Sequence, residues 1–445
     1  MPVAERHESY VSSFEAFCRA PEAGPDWLRA GREAAFTRFL DRGFPTTRDE
    51  DWRFTNVAPI AGTSFERARA GAISREVLAT LSFRAEAAAE IIVVNGRLSR
   101  TLSSLDALPA GVTVQSLREH WQTSARPDVD SSPKSRSVAQ APSVFADLNF
   151  AFAEDGIVID VAPKTVVASP IHVLFVSVGG PVPAMVSPRL IVTAGDQSQV
   201  SIIESYAGTG DGVTFANAVT DLRVGPNAIV DHVKIQREQA TAFHLAQMSA
   251  RLDRAGTLTS HAITFGGRIA RNDIVALLDG EGAECVLNGL YVADGETLVD
   301  THTTIDHAKP HCPSHELYKG ILDGRAKAVF NGKIIVRPDA QKTDAKQTNK
   351  ALLLTDDAQI NTKPQLEIFA DDVKCTHGAA IGQLDEDAVF YLRARGLTFA
   401  EARDLLIHAF AGEVIDRVRI EPLKVALEAE LYDQLARDLA EVDAA

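Results

Sequence analysis

The sequence predicts a mainly β protein in which short strands form a parallel β-helix between two helical ends. From Gly156 to about Ile381, short β-branched runs alternate with Gly, Asp, Asn and Pro, and helical periodicity is scarce. Turn-like tetrapeptides begin at residues 225, 254 and 280, at intervals close to one coil of such a helix, and another at residue 323 is about two coils further on. An antiparallel sandwich is the competing fold, disfavoured because few two-residue hairpin signals join neighbouring runs.

Residues 1–90 are predicted to form an N-terminal helical domain. Asp26 is a candidate N-cap for a helix whose apolar residues recur at helical spacing, and Gly43 and Pro45 should end it. The segment 45–54 is predicted to be a charged turn anchored by aromatic residues. The next unit, residues 91–155, should begin with a strand at Ile91–Val94 and contains a polar segment, 122–143, interpreted as a mobile linker or insertion.

The β-helix core is assigned to residues 156–384, and residues 385–445 are predicted to be helical. A short helix should end at Gly396, and Thr398 with Glu401 forms the capping box of the next one. The apolar stripe of that helix comprises Ala402, Leu405, Leu406, Ala409, Phe410, Val414 and Val418. A last helix opened by Pro422 carries Leu423, Leu427, Leu431, Leu435 and Leu439. These helices can bury one another, or they can present a groove or ridge to another protein.

Composition excludes several functional classes. The 445 residues contain 60 Asp and Glu against 45 Lys and Arg, a formal charge of -15, which argues against binding to duplex nucleic acid or to an anionic membrane. The acidic first residues contain no signal core, and no run of about 18 apolar residues occurs, so the cytoplasm is the expected compartment. The 4 cysteines include no Cys-x-x-Cys pair, which disfavours a disulfide framework or a self-contained zinc ribbon.

Cys375 and His377 form the most informative motif, because a thiol and an imidazole lie two residues apart. On an extended strand both side chains project from the same face and can hold one metal between them. A tetrahedral metal or an iron–sulfur unit needs about four donors, so the remaining donors must come from elsewhere in the chain or from a partner subunit. The competing interpretation is a buried cysteine beside a histidine that hydrogen-bonds a turn.

Other polar clusters are assigned structural roles. His302, His307, His311, Cys312 and His315 are irregularly spaced and interrupted by prolines, so they are predicted to form a surface turn rather than a metal site. Cys18 and Cys285 are predicted to be small buried residues. The paired acids Asp356-Asp357 and Asp371-Asp372 are typical of turns, although hydrolysis by a β-helix enzyme would also need paired carboxylates. Gln347 and Asn349 are predicted to stack in an internal polar ladder.

Five ordered segments carry a resemblance to a known family. They are Glu316–Gly324, Phe330–Lys333, Gln341–Leu354, Asp371–Ala380 and Tyr391–Leu397, with a weaker match at the Asp49–Trp52 turn. Together they resemble the SufB/SufD family of the SUF iron–sulfur assembly machinery. The Asp49–Trp52 turn and the Cys-x-His-Gly-Ala form of the late motif are more similar to the SufD branch than to the SufB branch.

The resemblance implies a right-handed parallel β-helix that pairs with the β-helix of a SufB-type subunit. It implies that the C-terminal helices dock a SufC-type ABC ATPase, and that a transient iron–sulfur cluster is shared with the partner. The family's interface ligand falls on His377, with Cys375 as an auxiliary donor. Since the chain has no Gly-x-x-x-x-Gly-Lys-Ser/Thr loop, ATP binding must come from a partner, and the expected role is a scaffold subunit rather than an enzyme. Whether the full complex also binds reduced flavin is left open.

Two alternative functions remain at this level. A homodimeric scaffold would bring two Cys375/His377 pairs together without a second type of subunit. A β-helix carbohydrate-active enzyme would be expected to have a secretion signal or a cleft lined with aromatic residues, and the chain contains only 3 Trp and 6 Tyr.

Overall fold

The computed structural model describes residues 3–83, 87–123 and 143–442, and most of them belong to a β-solenoid of about 8 coils. Two sheets form the solenoid: sheet A, with 11 strands, and sheet B, with 10. From β8 onward, consecutive strands alternate between the two sheets, so each coil contributes one strand to each. The core therefore lies between the sheets, and helices cover their outer faces.

The helices are α1 Val3–Arg19, α2 Asp26–Arg42, α3 Ala58–Ala61, α4 Arg75–Leu81, α5 Leu117–Thr123, α6 Val144–Phe152, α7 Glu386–Arg393, α8 Phe399–Ile415 and α9 Glu421–Val442. Sheet A contains β1 Glu66–Arg67, β4 Val112–Ser116, β5 Ile157–Val161, β7 Ala184–Val186, β8 Arg189–Ala194, β10 Thr214–Val224, β12 Phe243–Leu252, β14 Ile269–Leu278, β16 Leu298–His307, β18 Lys327–Val336 and β20 Gln359–Ile368. Sheet B contains β2 Ala89–Val94, β3 Arg97–Leu98, β6 Ile171–Val178, β9 Gln199–Thr209, β11 Ile229–Arg237, β13 Thr257–Phe265, β15 Glu284–Ala293, β17 Pro313–Leu322, β19 Asp344–Leu353 and β21 Lys374–Gly382.

Parallel pairing between successive coils confirms the mainly β, solenoid prediction. Among the described strands, antiparallel pairs are confined to β2 with β3 and β4 with β5, near the start of the solenoid. All later ladders are parallel, as in β15 with β17 and β17 with β19. The antiparallel sandwich is therefore excluded.

One turn recurs at the sheet A to sheet B edge of successive coils. Its shared feature is a residue with a positive φ two positions before a sheet B strand. Before the strands β9 to β19 of sheet B, these residues are Gln197, Asn227, Ala255, Gly282, His311 and Lys342. The predicted spacing of the turn that begins at residue 323 was wrong. Gly324, with φ 58°, belongs to the opposite edge, together with Gly295 at φ 60°, so this turn lies about one and a half coils beyond residue 280, not two.

Tyrosines that pack over glycines of the neighbouring coil explain the Tyr318-Lys319-Gly320 motif. Tyr318 is opposite Gly289 in the neighbouring coil, and Tyr291 is opposite Gly320. A Cβ at either glycine would lie 2.1 Å from the ring it faces, so only glycine leaves room for the tyrosine. Lys319 points to the outer face of sheet B, where its Nζ donates a hydrogen bond of 2.8 Å to the carbonyl oxygen of Phe410 on α8.

The N-terminal helices cover the outer face of sheet A. Aromatic residues of α1, α2 and α6 pack against Phe215, Phe243 and Leu245 of that face. The predicted N-cap was wrong by one position, because Pro25 is the N-cap and Asp26 is the first helical residue. Gly43 ends α2 as expected, with φ 65°.

The Asp49–Trp52 turn fastens this domain to the solenoid. Arg271 of β14 donates a hydrogen bond of 2.8 Å to the carbonyl oxygen of Asp51, and its guanidinium lies 3.8 Å from the centre of the Trp52 ring. Glu50 forms an ion pair of 2.7 Å with Lys363. The motif therefore has a docking role in the structure.

The C-terminal helices cover the outer face of sheet B. The capping box of Thr398 and Glu401 is present, and Leu423, Leu427, Leu431 and Leu435 of α9 are buried in the same cluster as Ile203, Val233 and Ile263. The predicted stripe of α8 was wrong in part, because the buried face consists of Ala402, Ile407, Ala411, Val414 and Ile415. Leu405 is instead 50% exposed. Since α8 is apolar around most of its circumference, the sequence could not assign its inner face.

None of the described helices is both long and apolar enough to cross a bilayer.

Candidate functional site

Cys375 and His377 lie on β21, the last strand of sheet B, and project from the same face as predicted. Cys375 is opposite Ala345 and His377 is opposite Gln347 in the preceding coil. Ala345 and Gln347 are both buried in the solenoid interior, so the two candidate donors face the interior side of the sheet. Within the described part of the chain, no strand pairs with the outer edge of β21. The motif therefore occupies the open end of the solenoid.

The two donors differ in their surroundings. Cys375 is half-buried and packs against the apolar cluster that contains Ile334 and Val336. This burial raises the pKa of the thiol, and the charge of Asp344 raises it further, although a backbone hydrogen bond from Ala345 acts in the opposite direction. The His377 side chain is exposed. The imidazole is therefore the more accessible donor, while the thiol must lose its proton as it binds a metal.

The donor set is incomplete within one chain. In the described residues, no group of three or more His, Cys, Asp or Glu side chains is arranged to hold a metal ion. An imidazole and a thiol suit iron and other borderline metals, but they supply only two of about four donors. Cys375 and His377 can therefore present one or two ligands to a metal whose other ligands lie on a facing surface.

A polar column continues below His377 into the interior. Gln347 donates a hydrogen bond of 2.6 Å from Nε2 to Oε2 of Glu316, one coil further down. A Cβ at Gly332, in the facing strand, would lie 1.9 Å from Gln347 Nε2, so this glycine makes room for the amide. Gln347 and Asn349 are 2% and 1% exposed, which agrees with the predicted internal polar ladder.

Replacing Glu316 with Gln is expected to change the pH dependence of stability. Burial raises the pKa of Glu316 from 4.5 to about 7. At pH values between these two pKa values, Glu316 is protonated in the folded chain but ionised in the unfolded chain. The free energy of unfolding should therefore fall as the pH rises through this window. Glutamine keeps the shape and hydrogen-bonding capacity of the side chain without titrating. At pH values above this window, the free energy of unfolding of Glu316→Gln should therefore exceed that of wild type by on the order of 3 kcal/mol.

Chemical denaturation of both proteins at about pH 5 and about pH 8 measures this difference. Glu296→Gln is the matched control, because its side chain is 79% exposed. Parallel stability profiles for wild type and Glu316→Gln would contradict the expected titration.

The histidines and the cysteine of the other candidate cluster, residues 302–315, lie apart from one another in the structure. His302 lies on the outer face of sheet A, with Nε2 3.1 Å from Asp300, whereas His307 is buried in the interior and lies 3.0 Å from the Ser314 hydroxyl. His311 adopts the left-handed turn conformation, and Cys312 is buried with its thiol donating to the carbonyl oxygen of Gly280. The surface-turn prediction was wrong for His302 and His307, which lie within β16, and for His315, which lies within β17. The residues do not converge on one point.

The remaining candidates have structural surroundings. Asp372 forms an ion pair with Lys342 across neighbouring coils, and Asp356 accepts a hydrogen bond of 3.1 Å from Gln383, both within turns. Cys285 is fully buried, as predicted, and Cys18 is partly buried. The polar segment 122–143 lies almost wholly outside the described residues.

A buried charged network in the middle of the solenoid was not anticipated. Glu204 accepts a hydrogen bond of 2.8 Å from His232 and another from Tyr206, while Lys234 Nζ lies 2.9 Å from His244. Burial raises the pKa of Glu204, but the bond to His232 and the charge of that residue lower it more, to about 2. Burial lowers the pKa of Lys234 to about 8. The sequence signal that could have revealed this network is the presence of charged residues at positions of the strands that face the interior.

Comparisons with known proteins match most of the chain to one family. A family model described as the SufBD core domain of SUF system FeS cluster assembly matches residues 175–410, and the SufBD N-terminal region matches residues 4–173. The chain is 36% identical over 391 residues to an iron–sulfur cluster assembly SufBD family protein of Synechocystis, covering 85% of each chain. It is 31% identical over 400 residues to the iron–sulfur cluster assembly protein SufD of Escherichia coli, covering 89% of this chain and 91% of SufD. Identity to SufD of Bacillus subtilis is 25% over 437 residues, covering 94% and 96%.

Proposed function

Because this chain belongs to the SufBD family of iron–sulfur cluster assembly proteins and is close to SufD within it, we propose that it is a cytoplasmic scaffold subunit without enzymatic activity of its own. In this proposal it assembles iron–sulfur clusters together with a SufB-type partner and a SufC-type ABC ATPase, and the complex transfers the clusters to apoproteins. The observation that carries the proposal is the exposed His377 at the open end of the solenoid, beside the half-buried Cys375.

The open end suits a shared site for three reasons. The edge of β21 carries backbone groups that no strand in the described chain pairs with, and such an edge can bind another chain. Nearly all side chains of β21 are exposed, in contrast to the buried strands of the preceding coils. His377 and Cys375 supply only part of a cluster's ligands. A SufB-type β-helix docked at this end would cover the exposed coil and complete the ligand set.

The ATPase surface is assigned to the outward side of α7 and α8. Phe390, Tyr391, Phe399 and Leu405 are 75%, 56%, 55% and 50% exposed on these two helices, which pack against each other. Such large exposed apolar residues on consecutive helices are typical of a protein contact. The buried residues of α8 and the leucines of α9 hold the helices on sheet B, so they are assigned to positioning this surface rather than to binding.

Purification from native cells with a tag on this chain alone tests the proposal. Mass spectrometry should identify a SufB-type subunit and a SufC-type ATPase in the complex, and the complex should contain iron and acid-labile sulfide. Recovery of the chain as a cluster-loaded homodimer would favour the homodimeric scaffold instead. Recovery of the chain without either partner and without iron would contradict both the complex with partners and the homodimeric scaffold.

A further inference from the structure

A cluster of arginines lies where the N-terminal helices meet the first coils of the solenoid. Its members are Arg32 on α2, Arg67 on β1, Arg97 on β3, Arg118 on α5 and Arg189 on β8. Glu154 accepts hydrogen bonds from Arg67, Arg97 and Arg118, at 2.6 Å from Arg67 and at 2.9 and 2.7 Å from the two nitrogens of Arg97. One carboxylate therefore serves three guanidinium groups.

Arg32 is the least compensated of these arginines. It is fully buried, between the rings of Phe17 and Trp121 at 5.1 and 5.0 Å, and it donates to carbonyl oxygens, including that of Phe150 at 3.0 Å. Its second terminal nitrogen finds no acceptor among the described residues. Burial, followed by the charge of Arg189, lowers the pKa of Arg32 to about 9. Carbonyl dipoles solvate this cation, but they do not neutralise its charge.

The acidic groups nearby do not balance the cluster. Asp155 is already engaged by the Ser116 hydroxyl at 2.7 Å and by backbone amides, including that of Gly156 at 2.8 Å. Glu22 is partly exposed at the rim of the adjoining cavity. Arg189 is paired with Asp221 at 4.0 Å. Counted with Glu154 and Asp221, these carboxylates are four against five arginines, so an excess of one positive charge remains at this junction.

A cavity of about 170 Å³ adjoins the cluster. It is lined by Pro21, Glu22, Leu28, Arg118, Trp121 and Glu154, among others. Trp121 is only 2% exposed, yet its indole Nε1 has no acceptor among the described residues, and neither has Nε of Arg118. Buried donors without acceptors are costly, and a cavity of this size has room for several water molecules or one small ion.

We propose that this cavity binds a small tetrahedral oxyanion of the phosphate class, which accepts hydrogen bonds from Trp121 Nε1 and Arg118 Nε. An oxyanion offers several acceptor atoms for these two buried donors, and its negative charge balances the arginine that the surrounding carboxylates leave uncompensated. Arg32, behind the Trp121 ring, would add attraction without direct contact. Glu154 does not prevent binding, because three arginines already surround its charge. Since α2, α5 and the loop that contains Glu154, just before β5, all border the site, the bound anion would tie the N-terminal domain to the solenoid.

The test is calorimetric titration of the full chain with inorganic phosphate, at an ionic strength held constant with potassium chloride. Saturable binding is expected, together with a higher thermal midpoint in phosphate than in chloride alone. Trp121→Phe keeps the aromatic surface beneath Arg32 but removes the indole donor, so the affinity should fall roughly tenfold. Arg118→Gln should weaken binding at least as much. Trp52→Phe is the matched control, because Trp52 also stacks on an arginine but lies outside this cavity.

Titration with a phosphomonoester, glycerol 3-phosphate, distinguishes a site for free phosphate from a site for the phosphate group of a larger ligand. Tighter binding than inorganic phosphate would indicate the phosphate group of a larger ligand, and weaker binding would indicate the free ion. The proposal is overturned if phosphate neither binds nor stabilises the chain beyond chloride, or if Trp121→Phe binds phosphate as tightly as wild type. These outcomes are independent of cluster assembly, because no iron, sulfide or partner subunit is needed.

Discussion

Replacing His377 with Ala is expected to leave the chain folded and its complex assembled, but to deplete the complex of iron and sulfide. The side chain is exposed at the open end of the solenoid, and substitutions at such positions usually change stability by less than about 0.5 kcal/mol. Loss of an outer hydrogen-bond partner of a metal ligand typically costs about 10- to 100-fold in metal affinity, so loss of a ligand itself should cost at least as much. Iron and sulfide content per purified complex is the measurement.

His315→Ala is the matched control for this substitution. His315 lies on the same sheet, in the same column as Lys346 and Thr376, and faces the outer side. Cys375→Ser should have a smaller effect than His377→Ala, because the thiol is half-buried and is assigned an auxiliary role. Unchanged cluster content in a well-assembled His377→Ala complex would reject the site, whereas failure of the complex to assemble would identify His377 as a structural residue.

Substituting Phe390 and Leu405 together with Ser is expected to abolish ATPase docking without affecting the pairing at the open end. Each side chain is at least half exposed, so the substitutions remove apolar contact area without opening a cavity in the core. Burying an apolar side chain of this size in an interface contributes about 1.5 to 3 kcal/mol, so the pair should weaken binding by more than about 100-fold. Copurification of the ATPase and of the SufB-type subunit, quantified separately, measures both effects.

Val166→Ser provides the control for exposed apolar surface elsewhere, since Val166 is 61% exposed in an early coil. Point substitutions are preferable to removal of α8 and α9, because removal would uncover Ile203, Val233 and Ile263 on the outer face of sheet B. Full ATPase recovery with the double variant would move the docking surface away from α7 and α8. Loss of both partners together would indicate that the variant had damaged the fold.

Local patterns in the sequence predicted much of the architecture. The capping box of Thr398 and Glu401, the end of α2 at Gly43 and the shared face of Cys375 and His377 all depend on residues within one turn or one strand. Recurring Gly and Asn turns predicted the coil length, but the same turn at His311 and Lys342 escaped notice because these residues adopt a positive φ without the usual sequence signal.

Other features depend on residues in neighbouring coils. The hydrogen bond between Gln347 and Glu316 joins positions 31 residues apart, and the contact of Trp52 with Arg271 joins the N-terminal domain to the middle of the solenoid. The buried face of α8 likewise depends on which side of the helix meets sheet B. No periodicity within a segment contains this information.

The sequence by itself therefore determined the class of fold, the spacing of the coils and the pairing of a thiol with an imidazole on one strand face. The tertiary structure alone decided that this face belongs to the last described coil, that His377 is exposed there and that Glu316 is buried below it. The physical reason is that backbone periodicity follows from adjacent residues, whereas burial, and with it donor accessibility and pKa, follows from the strand stacked above or below.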